Sequence, residues 1–591
     1  MRRHATALAA ALVVCVGGAC AGGGVATADA SSPFAWRGIV EGAYGPVWDH
    51  AARVRMLRWM SRHGFNAYVH APKDDLYQRT YWRDPYPPAE QAAFRSEIAL
   101  AHARGIAWIP NLSPALPLIP TPRIGDRPPS RDLCFSCPAD LAAVVHKLAP
   151  FTAAGAHTAM ISFDDVTKTF THPEDAATYG TGDEGFGRAN GDFLSRLYAA
   201  LRARDPRARL LTVGADYSGT ADTPYLRGLR ATLRPEVRVM WTGVGVPAHA
   251  FAPSDAAAYG QRIGRRPLVW ENWTDDDTAG NATPAGTARL FLGPYLRRPD
   301  VTGAVGGFFF NPMNEADLNM LPLATAGDWM RAPRAYRRRQ SWLRAVRELA
   351  GPLRATLRAW AETSWSTKLD LSEAPTFVRL NHRFLHRYDT RPAWGASARA
   401  LGRELALVID APRALAALRN RNLYDQAGPF LAAARQAAGA GLLGARLLAA
   451  ERPSLRVHRA GTRFAGSAHP PDPDRAAALR SDFHDQGDAS RRSRYFTYGW
   501  RTPYAFEVPP YPVPPNTMNT FLDAVDTRDT AWQDRASAAA SRVTVTIGGA
   551  PVILSRSGAF SVARRDGCGR LLRATDGAGG RTAVRLARCP A

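Results

Sequence analysis

From Trp36 to Asn311 the chain alternates short apolar runs with segments of helical period. The runs are Trp36–Val40, Asn66–His70, Ile106–Asn111, Thr158–Phe163, Leu210–Val213, Val237–Thr242, Pro267–Trp270 and Ala304–Phe310. Runs of this length between turn-forming residues read as buried strands. Amphipathic stretches lie between them, among them Asp49–His63, Pro88–Arg104, Pro138–Ala154, Gly187–Arg204 and Ser254–Ile263. Pro88 and Pro138 stand where the first helical turn has no use for an amide proton. Strands alternating with helices predict a parallel sheet. Eight such units over roughly 280 residues predict an α/β fold of the (β/α)8 TIM-barrel kind, assigned here to residues 31–330.

Beyond residue 330 the pattern changes. Tyr336–Thr363 and Ala411–Ala450 are rich in Ala, Leu and Arg at helical spacing, and Trp342, Leu343, Val346, Leu349 and Leu353 share one face. This predicts a helical bundle over 331–452. Residues 453–535 lose any period among Pro, Arg, Asp and His, most densely at Val508–Pro515, and read as an irregular segment. The short β-type runs Val543–Ile547, Val552–Leu554, Phe560–Val562 and Thr582–Leu586 predict a small β module over 536–591.

At the other end, Arg2 and Arg3 precede an apolar run from Ala5 to Val16, and Ala28-Asp29-Ala30 supplies a small-x-small cleavage pattern. Residues 1–30 therefore read as the signal peptide of a secreted protein. Lipid attachment at Cys20 is the disfavoured alternative, because Gly17 stands where Leu or Val is wanted. No later run is long enough to span a bilayer. Without the leader, Cys134, Cys137, Cys568 and Cys589 remain, an even set that predicts the disulfides Cys134–Cys137 and Cys568–Cys589. Zinc at Cys134-Phe-Ser-Cys137 lacks a second Cys/His pair of matching spacing. The net charge of +23 is almost wholly arginine: of 75 Lys and Arg residues, only Lys73, Lys147, Lys168 and Lys368 are lysine. These cations are scattered rather than interleaved with aromatics, which argues against a nucleic-acid partner and leaves attraction for acidic polymers.

In a parallel barrel the chemistry sits at the C-terminal ends of the strands. Those ends read Glu41-Gly42, Lys73-Asp74-Asp75, Ser113, Asp164-Asp165, Asp216-Tyr217, Trp241-Thr242, Glu271-Asn272 and Asn311. Carboxylates, amides, a lysine and aromatic rings on one rim suit a ring of sugar hydroxyls. The organising stretch is Met160-Ile-Ser-Phe-Asp-Asp-Val166, which ends in two adjacent acids. Burying such acids is costly unless they are paired, hydrogen-bonded or functional. Nothing in this set calls for a metal or a cofactor.

Arg37-Gly-Ile-Val-Glu-Gly-Ala-Tyr-Gly-Pro-Val-Trp48, Ala71-Pro-Lys-Asp-Asp-Leu-Tyr77, Trp82-Arg-Asp-Pro-Tyr86, Phe163-Asp-Asp-Val166, Trp241-Thr-Gly243, Trp270-Glu-Asn272, Leu290-Phe-Leu-Gly-Pro-Tyr295 and Asn311-Pro-Met313 follow one another in order. Together they resemble the family 84 glycoside hydrolases. These are β-N-acetylglucosaminidases that include bacterial hyaluronidase-like enzymes and the animal O-GlcNAcases. The resemblance covers roughly residues 34–330. It implies retaining, substrate-assisted hydrolysis of a terminal N-acetylglucosaminide, in which the sugar's own acetamido oxygen forms an oxazoline. Asp164 would hold and polarise the acetamido N–H, and Asp165 would protonate the leaving oxygen and then activate water. Gly42 and Lys73 resemble contacts to sugar hydroxyls, and Tyr217 a tyrosine that orients the acetamido group. Trp270 and Asn272 would lie against the sugar and that group. Asp277 and Asn311 would grip the distal hydroxyls, with Asp275 and Asp276 as rivals of Asp277. The implied partner is an N-acetylglucosamine-containing glycan or glycoconjugate. An endo-acting hyaluronidase and a non-catalytic glycan-binding protein, its turnover blocked by the long 274–288 loop, are the alternatives. Ala43, Val47 and Glu271 depart from the family pattern.

Overall fold

A computed structural model describes residues 32–248, 250–277, 289–370, 372–390, 394–451, 474–495, 497–498 and 516–533 with their side chains, and of 288 the backbone. Of 454–460, 463–469, 473, 496, 534–538 and the strands between 542 and 585 it describes the backbone. Eight parallel strands close a barrel in chain order: β1 (Trp36–Glu41), β2 (Ala67–His70), β3 (Ala107–Leu112), β4 (Thr158–Ser162), β5 (Arg209–Val213), β6 (Arg238–Trp241), β7 (Leu268–Glu271) and β8 (Gly307–Phe310). β8 returns to β1 with Trp36 opposite Gly307. Each of the eight apolar runs contains a strand; the last begins at Gly307, after a 3-10 turn over Pro299–Gly303.

Strand alternation sorts the apolar side chains into two cores. Val40, Val69, Ile109, Met160, Leu211, Met240 and Phe309 fill the barrel's centre, with Trp270 above them. Their neighbours Ile39, Tyr68, Trp108, Ile161, Leu210, Val269 and Phe310 face the surrounding helices. Fully burying one such side chain contributes about 1.5–3 kcal/mol. The helices start where local chemistry directs. Asp49 caps His50–Met60 by accepting from the Ala52 amide at 2.6 Å, and Pro88, Pro138, Pro224 and Pro253 each open a helix.

The bundle is more divided than the sequence pattern predicts. Tyr336–Thr363 is not one helix: Gly351 and Pro352 end Arg338–Ala350, and Arg354–Ala361 starts anew. The expectation of an irregular segment over 453–535 is corrected. It holds a backbone hairpin, Ser454–Ala460 with Arg463–His469, and two helices, Pro473–Arg492 and Thr517–Ala538. Their apolar stripes are sparse and hidden among Arg and Asp. Ala476 and Phe483 on one helix, and Met518, Phe521, Leu522 and Val525 on the other, are buried near the long helix Arg421–Glu451. Gly444 on that helix permits the approach: a Cβ there would lie 2.9 Å from Phe483 and 3.2 Å from Val525. The C-terminal strands form a four-stranded sheet, and Ala559–Ala563 pairs with Arg463–His469. Residues 1–30 with Cys20, the stretch 508–515, Cys568 and Cys589 lie outside the described residues. No described helix is long and apolar enough to cross a membrane.

Candidate active site

The alternation that builds the core also selects the site. Where Val40, Trp270 and Met160 point inward, the inward positions beyond the strand ends are Gly42, Asn272 and Asp164, while Glu41, Glu271 and Phe163 turn outward. Several strand-end polar residues therefore serve the shell. Glu41 accepts from the Trp48 amide at 3.0 Å and from Tyr68 Oη. Glu271, one of the departures from the family pattern, takes Arg297 through both oxygens at 2.8 and 2.9 Å and Tyr295 Oη at 3.0 Å. Asp216 pairs with Lys168 at 3.2 Å, and the Trp241 indole donates to the Gly219 carbonyl at 2.9 Å.

An extended chain would send adjacent acids to opposite faces. Asp165 instead has φ of 54°, a left-handed turn that Asp tolerates better than most residues. Both carboxylates thereby gather around one ammonium. Lys73 Nζ is bonded to Asp164 Oδ2 and lies 3.5 Å from Asp165 Oδ2. Tyr44 Oη donates to Asp165 Oδ2 and Tyr217 Oη to Asp165 Oδ1, each at 2.9 Å. Burial pushes the Asp165 carboxyl up, but Lys73, the two phenols and the Arg79 guanidinium outweigh it and hold Asp165 below the usual carboxylate range. Burial, then the Asp165 charge, raise both tyrosines, which therefore stay donors. Asp164 Oδ1 is buried without a hydrogen-bond partner.

The opposite wall is a chain of amides. Trp270 Nε1 and Asn311 Nδ2 both donate to Asn272 Oδ1, at 2.8 and 3.0 Å, and the Gly42 amide donates to Asn311 Oδ1 at 3.0 Å. With its oxygen doubly engaged, Asn272 has its Nδ2 hydrogens to offer a ligand. Gly42 must lack a side chain, because a Cβ there would meet the Trp270 ring at 2.4 Å. Asp277 Oδ2 accepts from the Tyr44 amide at 3.0 Å while its Oδ1 is buried and unpartnered. Burial, then the neighbouring Asp275, raise Asp277 well above the usual range. The rivals are differently engaged: Asp275 Oδ2 lies 3.4 Å from Lys368 Nζ, and Asp276 Oδ1 accepts from the Asn314 amide at 2.9 Å.

Beneath the site, Ser162 Oγ donates to Asn111 at 2.8 Å, Asn111 to Gln78, and Gln78 to the Pro72 carbonyl at 2.6 Å, bracing the loop that carries Lys73. The Cys134–Cys137 disulfide precedes helix Pro138–Ala153, and Phe135 inside it packs on Phe163 at 5.6 Å, behind Asp164. Sequence reasoning missed Tyr44 and Arg79. Tyr44 stands two residues past Gly42, so parity would have aimed it inward. Arg79, whose Nη1 donates to Tyr44 Oη at 3.3 Å, lies in an aperiodic loop that carries no such signal. Among the described residues, Cys134, His172 and Glu174 could approach a metal, but the Cys134 sulfur is in the disulfide; His484, Asp526 and Asp529 lie in the bundle.

The model of the β-N-acetylglucosaminidase family matches residues 37–362. The chain belongs to this family. The motif resemblance to family 84 glycoside hydrolases and this match agree. The protein O-GlcNAcases of Rattus norvegicus and Mus musculus are each 27% identical to it over 302 residues, which is 50% of this chain and 30% of theirs. A mutant of the O-GlcNAc hydrolase of Thermobaculum terrenum shares its fold, with a TM-score of 0.67 over 86% of this chain and 97% of that one at 23% identity. That coverage takes in this β-N-acetylglucosaminidase family member's barrel and helices following it.

Proposed function

We propose that the protein is an exported, exo-acting β-N-acetylglucosaminidase that works with retention through a substrate-assisted oxazoline. The observation that carries the reading is the gathering of Asp164 and Asp165 around Lys73. Two acids on one side of a pocket cannot flank a glycosidic bond as nucleophile and acid do. The nucleophile is then the substrate's acetamido oxygen, and the acids divide the remaining work. Asp164, with one oxygen on Lys73 and the other unpartnered, takes the acetamido N–H and stabilises the charge that develops on it. Asp165 delivers a proton to the leaving oxygen and then draws one from water. Asp165 is ionised at neutral pH, the form needed for the water step. For the first step a bound sugar raises its proton affinity by drawing Lys73 to the sugar hydroxyls and excluding water. Lys73, Asn272, Asn311 and Asp277 hold the ring, and Trp270 walls it.

Asp165→Asn is expected to lose about 10²–10⁴ in kcat with poor leaving groups and much less with acidic phenols. Asp164→Asn is expected to lose activity with every leaving group. Equal leaving-group dependence in the two variants would reverse the assignment. An N-acetylglucosamine thiazoline should inhibit competitively, and trapping of a sugar–protein adduct would point to an enzymic nucleophile instead. No hydrolysis of any aryl N-acetylglucosaminide would leave the glycan-binding reading. Export with leader cleavage predicts a mature chain starting at Ser31, which N-terminal sequencing reads directly.

A further inference from the structure

The loop between β3 and helix Pro138–Ala153 carries a patch that the mechanism above leaves unused. Among the described residues seven large apolar side chains are exposed, and four of them, Leu116, Leu118, Ile119 and Ile124, stand on this loop. Leu118 is the most open, at 65%. Apolar side chains exposed singly need no explanation, but a cluster on one loop marks a contact surface.

The loop is tied to the acid pair. The Leu118 amide donates to the Asp165 carbonyl at 2.7 Å, and the Thr167 amide to the Leu116 carbonyl at 3.0 Å. Pro117 and Val166 are thereby paired as in an antiparallel sheet. Val166 is buried, so by strand alternation Leu116 and Leu118 stand on the opposite, open face of this short ribbon, with Leu118 across from Asp165. The far end is tied to the loop after β2, which also carries Lys73. Thr80 Oγ1 lies 2.8 Å from Thr121 Oγ1 and 2.9 Å from the Pro122 carbonyl, and the Ile124 amide donates to Tyr81 Oη at 2.9 Å. Pro117, Pro120 and Pro122 stiffen the backbone between these ties. A surface held in this way costs little further ordering when something binds to it.

What lies over this surface follows from the chemistry of Asp165. The leaving oxygen takes its proton from that carboxyl, so the group attached to the oxygen extends over the residues beside it. A second sugar there would need partners for its hydroxyls. The side chains of residues 116–124 offer Arg123 alone, because Thr121 is engaged with Thr80 and the rest are Leu, Ile and Pro. We propose that Leu116, Leu118 and Ile119 form a shelf that selects a hydrocarbon aglycone over a second sugar. The proposal rests on the reading of Asp165 as the proton donor.

The test is the Ki of butyl, hexyl and octyl β-N-acetylglucosaminides against an aryl N-acetylglucosaminide, each below its micelle-forming concentration. The three alcohols are equally poor leaving groups, so the comparison reads contact and not chemistry. In the wild type Ki should fall by about twofold per added methylene, half the gain of full burial. Leu118→Asn keeps the amide on Asp165 and changes only the side chain. This variant and Ile119→Asn should both flatten the fall. The octyl-to-butyl ratio is internal to each protein, so a general loss of activity cancels. Equal Ki across the series in the wild type, or an undiminished fall in both variants, overturns the shelf, while turnover of the aryl substrate leaves the acid assignment standing. A disaccharide with a sugar in the aglycone position should bind no better than the butyl glycoside, and one that binds better reverses the preference. If Asp165→Asn loses activity equally with every leaving group, the reading of Asp165 fails and the shelf with it.

Discussion

At the scale of single residues, what matters is how one carboxylate, Asp165, is held. Two phenols and one ammonium converge on it, and each favours its charged form. Tyr44→Phe and Tyr217→Phe each remove one donor worth about 1.5–3 kcal/mol to the ionised carboxylate. The Asp165 carboxyl should then titrate about one unit or more higher, and the alkaline limb of kcat/KM should move up in pH with it. A limb that stays in place would mean that another group sets it. That Asp164, Asp165, Lys73 and Asn311 lie on one rim could be read from the sequence, because a strand end is a short, ordered place. Tyr217 was legible too, but the structure sets its hydroxyl on Asp165. Arg79 was not legible, because its role depends on a loop returning over Tyr44.

At the scale of elements, buried polar groups tie helices to strands. His70 at the end of β2 lies 2.9 Å from Asp75 and 3.7 Å from Glu41. Burial pushes the imidazole down, but the two carboxylates outweigh it and raise it to about 9. A histidine raised from about 6.5 contributes stability in full below that pH and loses it as pH rises through about 9. The unfolding free energy from denaturant titrations should therefore fall between about pH 6.5 and 9 by up to about 3 kcal/mol, and His70→Gln should flatten that slope. In the bundle, Arg480 bridges Glu451 at 3.0 Å and Asp529 at 2.6 Å, with both acids buried. Burial and then Asp529 raise Glu451 to about 9, so Arg480→Met leaves one buried carboxylate, Asp529, without its cation, which should cost about 3–5 kcal/mol in an unfolding titration. A loss below 1 kcal/mol would mean that the acids simply take up a proton. The helices over 473–538 escaped sequence reading for a related reason. Their buried positions are few, and the arginines and aspartates that neutralise one another across the helix faces mask the period.

At the scale of the whole molecule, charge and site are separable. The chain carries +23, yet the groups assigned to the sugar are acids, amides and aromatics with one lysine. Added salt should barely change kcat/KM for a small neutral substrate, whereas binding of a long polyanion such as hyaluronan should weaken as ions screen beyond about 8 Å at physiological strength. Product time courses on hyaluronan and on a neutral N-acetylglucosaminyl glycan separate the two modes of attack. Release of single sugars from the chain end fits exo action. Early mid-length hyaluronan oligomers would instead establish endo cleavage.

The sequence by itself determined the barrel, because eight apolar runs at a regular spacing can bury themselves in few other ways, and the end of each run marks one rim. It also determined which residue types meet there, since the order of the motifs carries that information. Only the tertiary structure decided which of those side chains face the pocket. Parity along each strand separates Gly42 from Glu41 and Asn272 from Glu271, and the left-handed turn at Asp165 brings two adjacent acids to one side.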